Sequence, residues 1–206
     1  MSNNQSINKY SSENIEILEG LEPVRKRPGM YIGGIDSKAL HHLVIEILDN
    51  SIDEVINNFA TNIEVELLNI DTVQITDNGR GIPVDPHPKF KNKSALEIIL
   101  TTLHSGGKFN SENYQTSGGL HGVGASVVNA LSDKFFIEVI REKKIYRQEY
   151  SKGLPITKLL KISETTKSNG TKVLLHQIKR FLVKMYVFLQ KIYFQLLKIR
   201  PTYLLE

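Results

Sequence analysis

Gly119-Leu120-His121-Gly122-Val123-Gly124 is the most informative stretch of this chain. It leads straight into a predicted helix, Val123 to Leu131, and residues 105–124 carry six of the fourteen glycines. Glycines let successive backbone amides converge on an anion, and a helix N-terminus adds partial positive charge. A glycine-rich loop is often only a flexible linker. The pattern therefore indicates a phosphate site only if other motifs support it.

A second motif lies upstream, in a predicted helix from Lys38 to Asn58. At about 100° per residue, one stripe of this helix is polar and the opposite side is apolar. The polar stripe contains His42, Glu46, Asp49, Asn50 and Asp53, and the apolar side contains Val44, Leu48, Ile52 and Val55. We therefore expect the helix to pack on one face and to present its acids on the other.

Glu46 and Asn50 are spaced i, i+4, so their side chains are neighbours on that stripe. A carboxylate beside His42, one turn earlier, can hold and deprotonate a water molecule. The amide oxygen of Asn50 is a suitable hard ligand for Mg²⁺. A plain solvated polar face is the alternative interpretation of the same stripe.

A third motif, Asp77-Asn78-Gly79-Arg80-Gly81, ends a predicted strand from Thr72 to Thr76. The Asp77 carboxylate could accept from the exocyclic amine of adenine, and glycines would let the base approach the backbone. Pro83 would stiffen the turn and offer an apolar edge. An ordinary tight turn is the alternative interpretation of this motif.

The rest of the chain mixes helices with paired strands, which predicts an α+β two-layer sandwich and not a doubly wound sheet. Residues 1–14 form a polar arm, Asn14 to Glu19 a short helix ended by Gly20, and Arg25 to Met30 a basic, solvated turn. The further predicted elements are a strand at Asn62 to Leu68, a helix at Ser94 to Leu103, a hairpin of Phe135 to Arg141 and Lys144 to Tyr150, and a strand from Gly170.

Composition limits the cellular compartment and the binding partners that we expect for the protein. The absence of cysteine excludes a disulfide scaffold, and the N-terminus shows no secretory signal, so we expect a cytoplasmic protein. The net charge of +4 belongs to the C-terminal part: residues 173–206 carry +5 and the remainder −1. The positive net charge is therefore no argument for direct DNA contact by the folded domain. No stretch of the sequence is apolar enough to span a membrane.

In this order and spacing the three motifs resemble the nucleotide site of the GHKL ATPases, which include gyrase, Hsp90, histidine kinases and MutL. Other segments resemble the ATPase subunit of bacterial type II topoisomerases, that is the B subunit of gyrase or of topoisomerase IV, over about residues 10–173. These segments are Tyr10, residues 21–33, Gly106-Gly107-Lys108-Phe109 and Tyr114. Residues 84–88 and 113–119 are more similar to topoisomerase IV than to gyrase.

The resemblance implies a GHKL (Bergerat) sandwich with a mixed or antiparallel sheet, and ATP and Mg²⁺ as cofactors. Glu46 would activate the attacking water, with His42 as an orienting partner, and Asn50 would bind Mg²⁺. Asp77 would bind adenine, supported through water by Thr171.

The resemblance also implies the remaining binding residues. Arg80 and Pro83 would flank the base, Arg80 would pair with Glu54, and Arg141 matches the rim where aminocoumarin antibiotics bind. The other residues implied in nucleotide binding are Tyr10, Gly81, Ile82, Lys108, Tyr114, Gly119, Leu120, His121, Gly122, Val123, Gly124 and Ala125. Tyr10 belongs to an arm that, in the family, crosses to the other protomer of a homodimer when ATP binds.

We expect an N-terminal arm at 1–14, the ATP-binding domain at 15–173, and an atypical apolar and basic tail at 174–206. Family members continue instead with a transducer domain, whose lysine reaches the γ-phosphate, and a metal-binding Toprim domain. The tail could be an amphipathic helix ended by Pro201. It could also be a frameshift product, because a suitable choice of codons for residues 176–185 gives Pro-Asp-Lys-Thr-Ile-Phe-Gly-Glu-Asp in another frame, which is similar to the family. The gene sequence tests that hypothesis.

The leading functional hypothesis is the ATPase domain of a topoisomerase B subunit, coupling ATP to DNA strand passage together with the A subunit. Because the γ-phosphate lysine belongs to the family's transducer domain, we expect very low turnover by this chain alone. The alternatives are an inert, binding-only remnant and another GHKL ATPase, either a histidine kinase or a chaperone. The Tyr10 arm and the basic Pro-Gly segment argue against the last.

Overall fold

The structure is a computed structural model that describes residues 11–34, 37–69, 72–107, 123–176 and 197–201, with only the backbone described at 37–40 and 197–201. The helices are α1 (Glu22–Lys26), α2 (Gly29–Ile32), α3 (Ser37–Ile56), α4 (Ala95–Thr101) and α5 (Gly124–Leu131). The strands are β1 (Ile63–Asn69), β2 (Thr72–Asp77), β3 (Pro86–His87), β4 (Phe90–Ser94), β5 (Lys134–Arg141), β6 (Lys144–Ser151), β7 (Leu154–Pro155), β8 (Leu160–Glu164), β9 (Gly170–His176) and β10 (Leu197–Pro201).

Within these described residues, eight strands form one sheet in the order β10-β1-β2-β9-β5-β6-β7, and β8 also pairs with β6. The pairing of β1 with β10 is parallel, and the other pairs are antiparallel. The strands β3 and β4 form a separate hairpin. The fold is α+β with a mixed sheet, which confirms the predicted class.

The core lies between one face of the sheet and the helices. Alternate residues of β1 and β5 are buried, as expected for strands with one covered face. Val44 and Leu48 of α3 and Val128 of α5 are fully buried in the same cluster. Phe135 and Tyr150 are among the largest fully buried residues, with their rings edge to face at 6.0 Å. This burial fixes how α3 and α5 sit against the sheet.

The N-terminal predictions are wrong in two places. Residues Ser12–Asn14 form a single 3₁₀ turn and no helix runs from Asn14 to Glu19. A helix that short is unfavourable by itself, and Ile17, which is 81% exposed, gains nothing from packing. The basic segment Arg25 to Met30 is exposed as predicted, apart from half-buried Pro28, but it is not a single turn, because α1 ends at Lys26 and α2 begins at Gly29.

The span of α3 agrees with the prediction within two residues, but its polar stripe is not a solvent face. Asp53 and Glu54 are buried, with only 1% and 9% of their surface exposed. Leu43 and Ile47 belong to the core, although the helical periodicity left them out. Of the other stripe residues, His42 is exposed and Glu46, Asp49 and Asn50 are half-buried, so only the C-terminal end of the stripe is covered.

The β5–β6 hairpin and the strand from Gly170 are confirmed, and β9 continues to His176. The sequence missed β3, β4, β7 and β8, which are short and largely exposed and so lack alternating burial. In the tail, residues 197–201 form β10 at the sheet edge, so a helix ended by Pro201 is wrong there. Proline is compatible with an edge strand. The remaining tail residues lie outside the described part of the chain.

No helix among the described residues has both the length and the apolar character needed to cross a membrane.

Candidate nucleotide-binding site

Three segments that are distant in sequence meet at one end of the sheet. They are the middle of α3, the end of β2 and the first turn of α5. Ser51 of α3 bonds to Asp77 of β2, and Glu46 of α3 lies against Gly124 of α5. The α3 motif, the Asp77 motif and Gly124, the described end of the glycine motif, therefore lie close together.

Asp77, the last residue of β2, presents a carboxylate that is largely buried. Its two oxygens accept hydrogen bonds at 2.9 Å from the Ser51 hydroxyl and from the Gly79 backbone N–H. Burial raises the pKa of Asp77, and the negative charge of Glu54 raises it further, whereas hydrogen bonds from Gly79, Ser51 and the Thr171 backbone oppose the rise. Thr171 lies directly opposite Asp77 in the register of β9 with β2. Because the pKa of Asp77 is raised overall, these hydrogen bonds only partly offset the cost of burying the ionised carboxylate.

The turn after Asp77 is packed too closely for any residue but glycine. A Cβ atom on Gly79 would lie 2.8 Å from a carboxylate oxygen of Glu54. Gly81 has a positive φ of 74°, and a Cβ atom there would lie 2.7 Å from the carbonyl oxygen of Ile140. Glycine is thus required at both positions by close packing, and its lack of a side chain lets the backbone of the turn lie close to Asp77.

Arg80 is held by the ion pair with Glu54 that the resemblance implied. Its Nη2 and Nε donate to the two carboxylate oxygens of Glu54 at 2.7 and 3.1 Å, and its backbone N–H donates to the same carboxylate at 2.9 Å. The guanidinium carbon lies 3.6 Å from the centroid of the Phe59 ring. The bidentate pair fixes the plane of the guanidinium group.

Two further contacts fasten this turn to its surroundings. Nη1 of Arg141, at the end of β5, donates to the carbonyl oxygen of Gly81 at 2.8 Å. Oδ1 of Asn78 accepts from the backbone N–H groups of Thr61 and Asn62, each at 2.9 Å. Arg141 therefore lies at the edge of the site, and Asn78 is a structural residue.

Glu46 approaches the first turn of α5. A side chain on Gly124 would overlap the Glu46 carboxylate, so the two residues are in close contact. His42, one turn earlier on α3, is exposed, and Glu46 is half-buried. The amide nitrogen of Asn50 donates to the Glu46 carbonyl oxygen at 2.9 Å, so a cation would use the amide oxygen.

In the described residues no group of three or more His, Asp or Glu side chains could hold a metal ion. A cation bound by Asn50 would therefore need ligands from the nucleotide itself. That is how Mg²⁺ commonly binds, with few protein ligands, several waters and substrate phosphates. The donor set present is compatible with such a shared Mg²⁺ ion.

The other predicted residues are placed as follows. Ile82, Val123 and Ala125 are half-buried and pack against the core, and Pro83 is exposed. Those outside the described residues are Tyr10, Lys108, Tyr114, Gly119, Leu120, His121 and Gly122.

Sequence reasoning missed two residues of the site, Ser51 and Phe59. Ser51 lies outside the polar stripe of α3, and no local pattern pairs it with Asp77, 26 residues away. Phe59 follows the end of α3, and no pattern pairs it with Arg80.

A model for the family described as histidine kinase-, DNA gyrase B- and HSP90-like ATPase matches residues 35–180. The chain belongs to this ATPase family.

More specifically, the chain is 58% identical over 166 residues to the B subunit of DNA topoisomerase 4 from Rickettsia bellii, a match that covers 81% of this chain and 25% of the relative. It is 56% identical over 178 residues to the B subunit of DNA gyrase from Metamycoplasma arthritidis, covering 85% and 28%. The crystal structure of the 43K ATPase domain of Thermus thermophilus gyrase B in complex with an aminocoumarin matches with a TM-score of 0.73 and 38% identity, covering 88% of this chain and 48% of that one. The chain spans about a quarter of the length of the curated relatives it matches. These similarities confirm the predicted family and fold.

Proposed function

We propose that this chain is the ATP-binding domain of a type II topoisomerase B subunit and that it binds Mg²⁺-ATP at the described site. The observation that carries the proposal is the buried carboxylate of Asp77. A buried charge is unfavourable unless partners compensate it, and the raised pKa of Asp77 indicates that its present partners do so only in part. The exocyclic amine of adenine is a donor that would complete the set.

Glu46 is proposed as the general base and His42 as its orienting partner. The contact of Glu46 with Gly124 supports this assignment, because the first turn of α5 is where a phosphate group is favoured. A carboxylate at that position can take a proton from a water that approaches the terminal phosphate. Asn50 would hold Mg²⁺, which neutralises phosphate charge when bound.

The role in the whole protein is proposed from the relatives. We infer that nucleotide binding closes a homodimer through the N-terminal arm that carries Tyr10, and that closure is coupled to DNA strand passage with the A subunit in the cytoplasm. Residues 1–172 carry a balance of −1 and so show no basic excess for a DNA contact of their own. DNA is therefore assigned to the other parts of the enzyme.

The test is calorimetric binding of a non-hydrolysable ATP analogue, with Mg²⁺, to the full chain. Asp77→Asn should weaken binding by about 1–3 kcal/mol, because a buried polar partner of the base is altered. Asp133→Asn is the matched control. Asp133 immediately precedes β5, at the end of that strand away from Arg141 and the site. Among the described contacts it forms one ion pair, with the exposed Lys152 at 3.4 Å. Absence of binding by the unaltered chain would reject the proposed function, and equal affinities for all three proteins would remove Asp77 from the site.

A further inference from the structure

Phe59 is a large apolar residue that is 42% exposed, and its ring contacts a charged group of the nucleotide site. The guanidinium carbon of Arg80 lies 3.6 Å from the ring centroid, well inside the range of a cation–π contact. Arg80 also makes the bidentate pair with Glu54. Burial in the hydrophobic core therefore does not explain why an aromatic residue occupies position 59, whereas the contact with the Arg80 guanidinium group can.

The position of Phe59 is set by the way α3 ends. Asn58 adopts a left-handed conformation with a φ of 62°. The backbone N–H of Phe59 donates to the Glu54 carbonyl oxygen at 2.7 Å, and that of Asn58 donates to the Val55 carbonyl oxygen at 3.0 Å. This is the bonding pattern of a Schellman motif, which closes a helix and directs the following residue.

Glu54 therefore holds both members of the pair. Its backbone carbonyl fixes Phe59 and its side-chain carboxylate fixes Arg80. The two contacts act from one buried residue, so the ring and the guanidinium group share a rigid support. A shift of the Phe59 backbone or of the Arg80 guanidinium group would break a hydrogen bond to Glu54.

We propose that Phe59 is a positioning residue of the nucleotide site and that it acts through Arg80. With Glu54 on its edge and the Phe59 ring on one face, the guanidinium plane is set so that a purine base would stack on the opposite face. Planar guanidinium groups stack readily on aromatic systems. This inference rests on the proposed function, since it takes the base to lie beside Arg80.

Two substitutions separate the aromatic contact from simple bulk. Phe59→Leu keeps an apolar side chain but removes the π face, and Phe59→Tyr keeps the π face. Phe90→Leu is the matched control, because Phe90 is 52% exposed and its ring contacts His87, on the separate β3–β4 hairpin. Phe59→Tyr and Phe90→Leu should unfold at the same temperature as the unaltered chain, because neither phenylalanine is in the core. Phe59→Leu should unfold only slightly lower, because an exposed cation–π contact is weak.

The first readout needs no nucleotide. The Nε–H resonance of Arg80, assigned by its loss in Arg80→Lys, should be shifted upfield by the ring current in the unaltered chain and in Phe59→Tyr. It should move downfield in Phe59→Leu and stay in place in Phe90→Leu. An unchanged resonance in Phe59→Leu would overturn the packing of the ring on Arg80.

The second readout is the dissociation constant of the ATP analogue measured by calorimetry on the full chain. Phe59→Leu should bind about two- to five-fold more weakly, which corresponds to an exposed cation–π contact. Phe59→Tyr and Phe90→Leu should bind as the unaltered chain does. A resonance shift without any loss of affinity in Phe59→Leu would overturn the positioning role. Absence of binding by the unaltered chain would instead reject the proposed function, and the resonance would still report the ring contact.

Discussion

The hydroxyl of Ser51 donates a 2.9 Å hydrogen bond to the carboxylate of Asp77, across 26 residues of sequence. It joins the middle of α3 to the last residue of β2, and both residues are buried. The same carboxylate accepts from the Gly79 N–H, so one side chain organises the helix, the strand end and the glycine turn. The proposed adenine contact thus rests on a residue that also supports the fold.

Ser51→Ala should lower both stability and affinity for the ATP analogue. The substitution removes a buried hydrogen bond to a charged acceptor, which contributes about 1.5–3 kcal/mol. Urea unfolding measures the first effect and calorimetry the second. Ser163→Ala, on the exposed strand β8, is the control and should change neither quantity. A stable Ser51→Ala variant with full affinity would contradict the supporting role of this hydroxyl.

The free energy of unfolding should vary with pH in the direction set by the raised pKa of Asp77. Because burial raises its pKa, the folded state holds the Asp77 proton more tightly than the unfolded state does. The stability from this group is therefore complete below the unfolded pKa and is lost as the pH rises through the folded pKa. Asp77→Asn should remove this component, so its stability should change less between pH 4 and pH 7 than that of the unaltered chain, although it binds the ATP analogue more weakly. Urea midpoints at pH 4 and pH 7 check the sign, and an equal change of stability in both proteins would contradict it.

Glu46→Gln should leave binding of the ATP analogue nearly unchanged and should remove hydrolysis. A general base lowers the barrier and contributes little to ground-state binding, and glutamine preserves the size of the side chain beside Gly124. Because very low turnover is expected of this chain alone, phosphate release with excess Mg²⁺-ATP is measured on a fusion of the ATP-binding domain to a relative's transducer domain, with Glu19→Gln in the exposed N-terminal segment as the control. Turnover of the Glu46→Gln fusion equal to that of the unaltered fusion would assign proton abstraction to another group.

Gly81→Ala should destabilise the fold by about 1–2 kcal/mol or more, because a left-handed conformation is unfavourable for alanine. The φ at Gly81 is 74°, and the added Cβ would lie 2.7 Å from the Ile140 carbonyl oxygen. Gly106→Ala is the matched control, because a Cβ there meets no atom of the described residues within 4 Å. Thermal unfolding of the two variants gives the comparison, and equal melting temperatures would show that the turn relaxes without cost.

The sequence by itself determined the elements with regular apolar periodicity. The helices α3 and α5, the strands β1 and β2 and the β5–β6 hairpin all lie within a few residues of their predicted bounds. Periodicity is a local property, because side chains on one face of a helix or strand recur at a fixed spacing. The three motifs were identified from their residue types and spacing, and the family from the resemblance of those motifs to known proteins.

Only the tertiary structure decided how those motifs meet. The burial of Asp53 and Glu54, the bond from Ser51 to Asp77 and the ring of Phe59 on Arg80 depend on segments more than twenty residues apart. The short strands β7 and β8 exist because β6 offers them unpaired backbone groups, and their own residues show no alternating burial. Contacts of this kind arise from the packing of one element on another, and no spacing within either element encodes them.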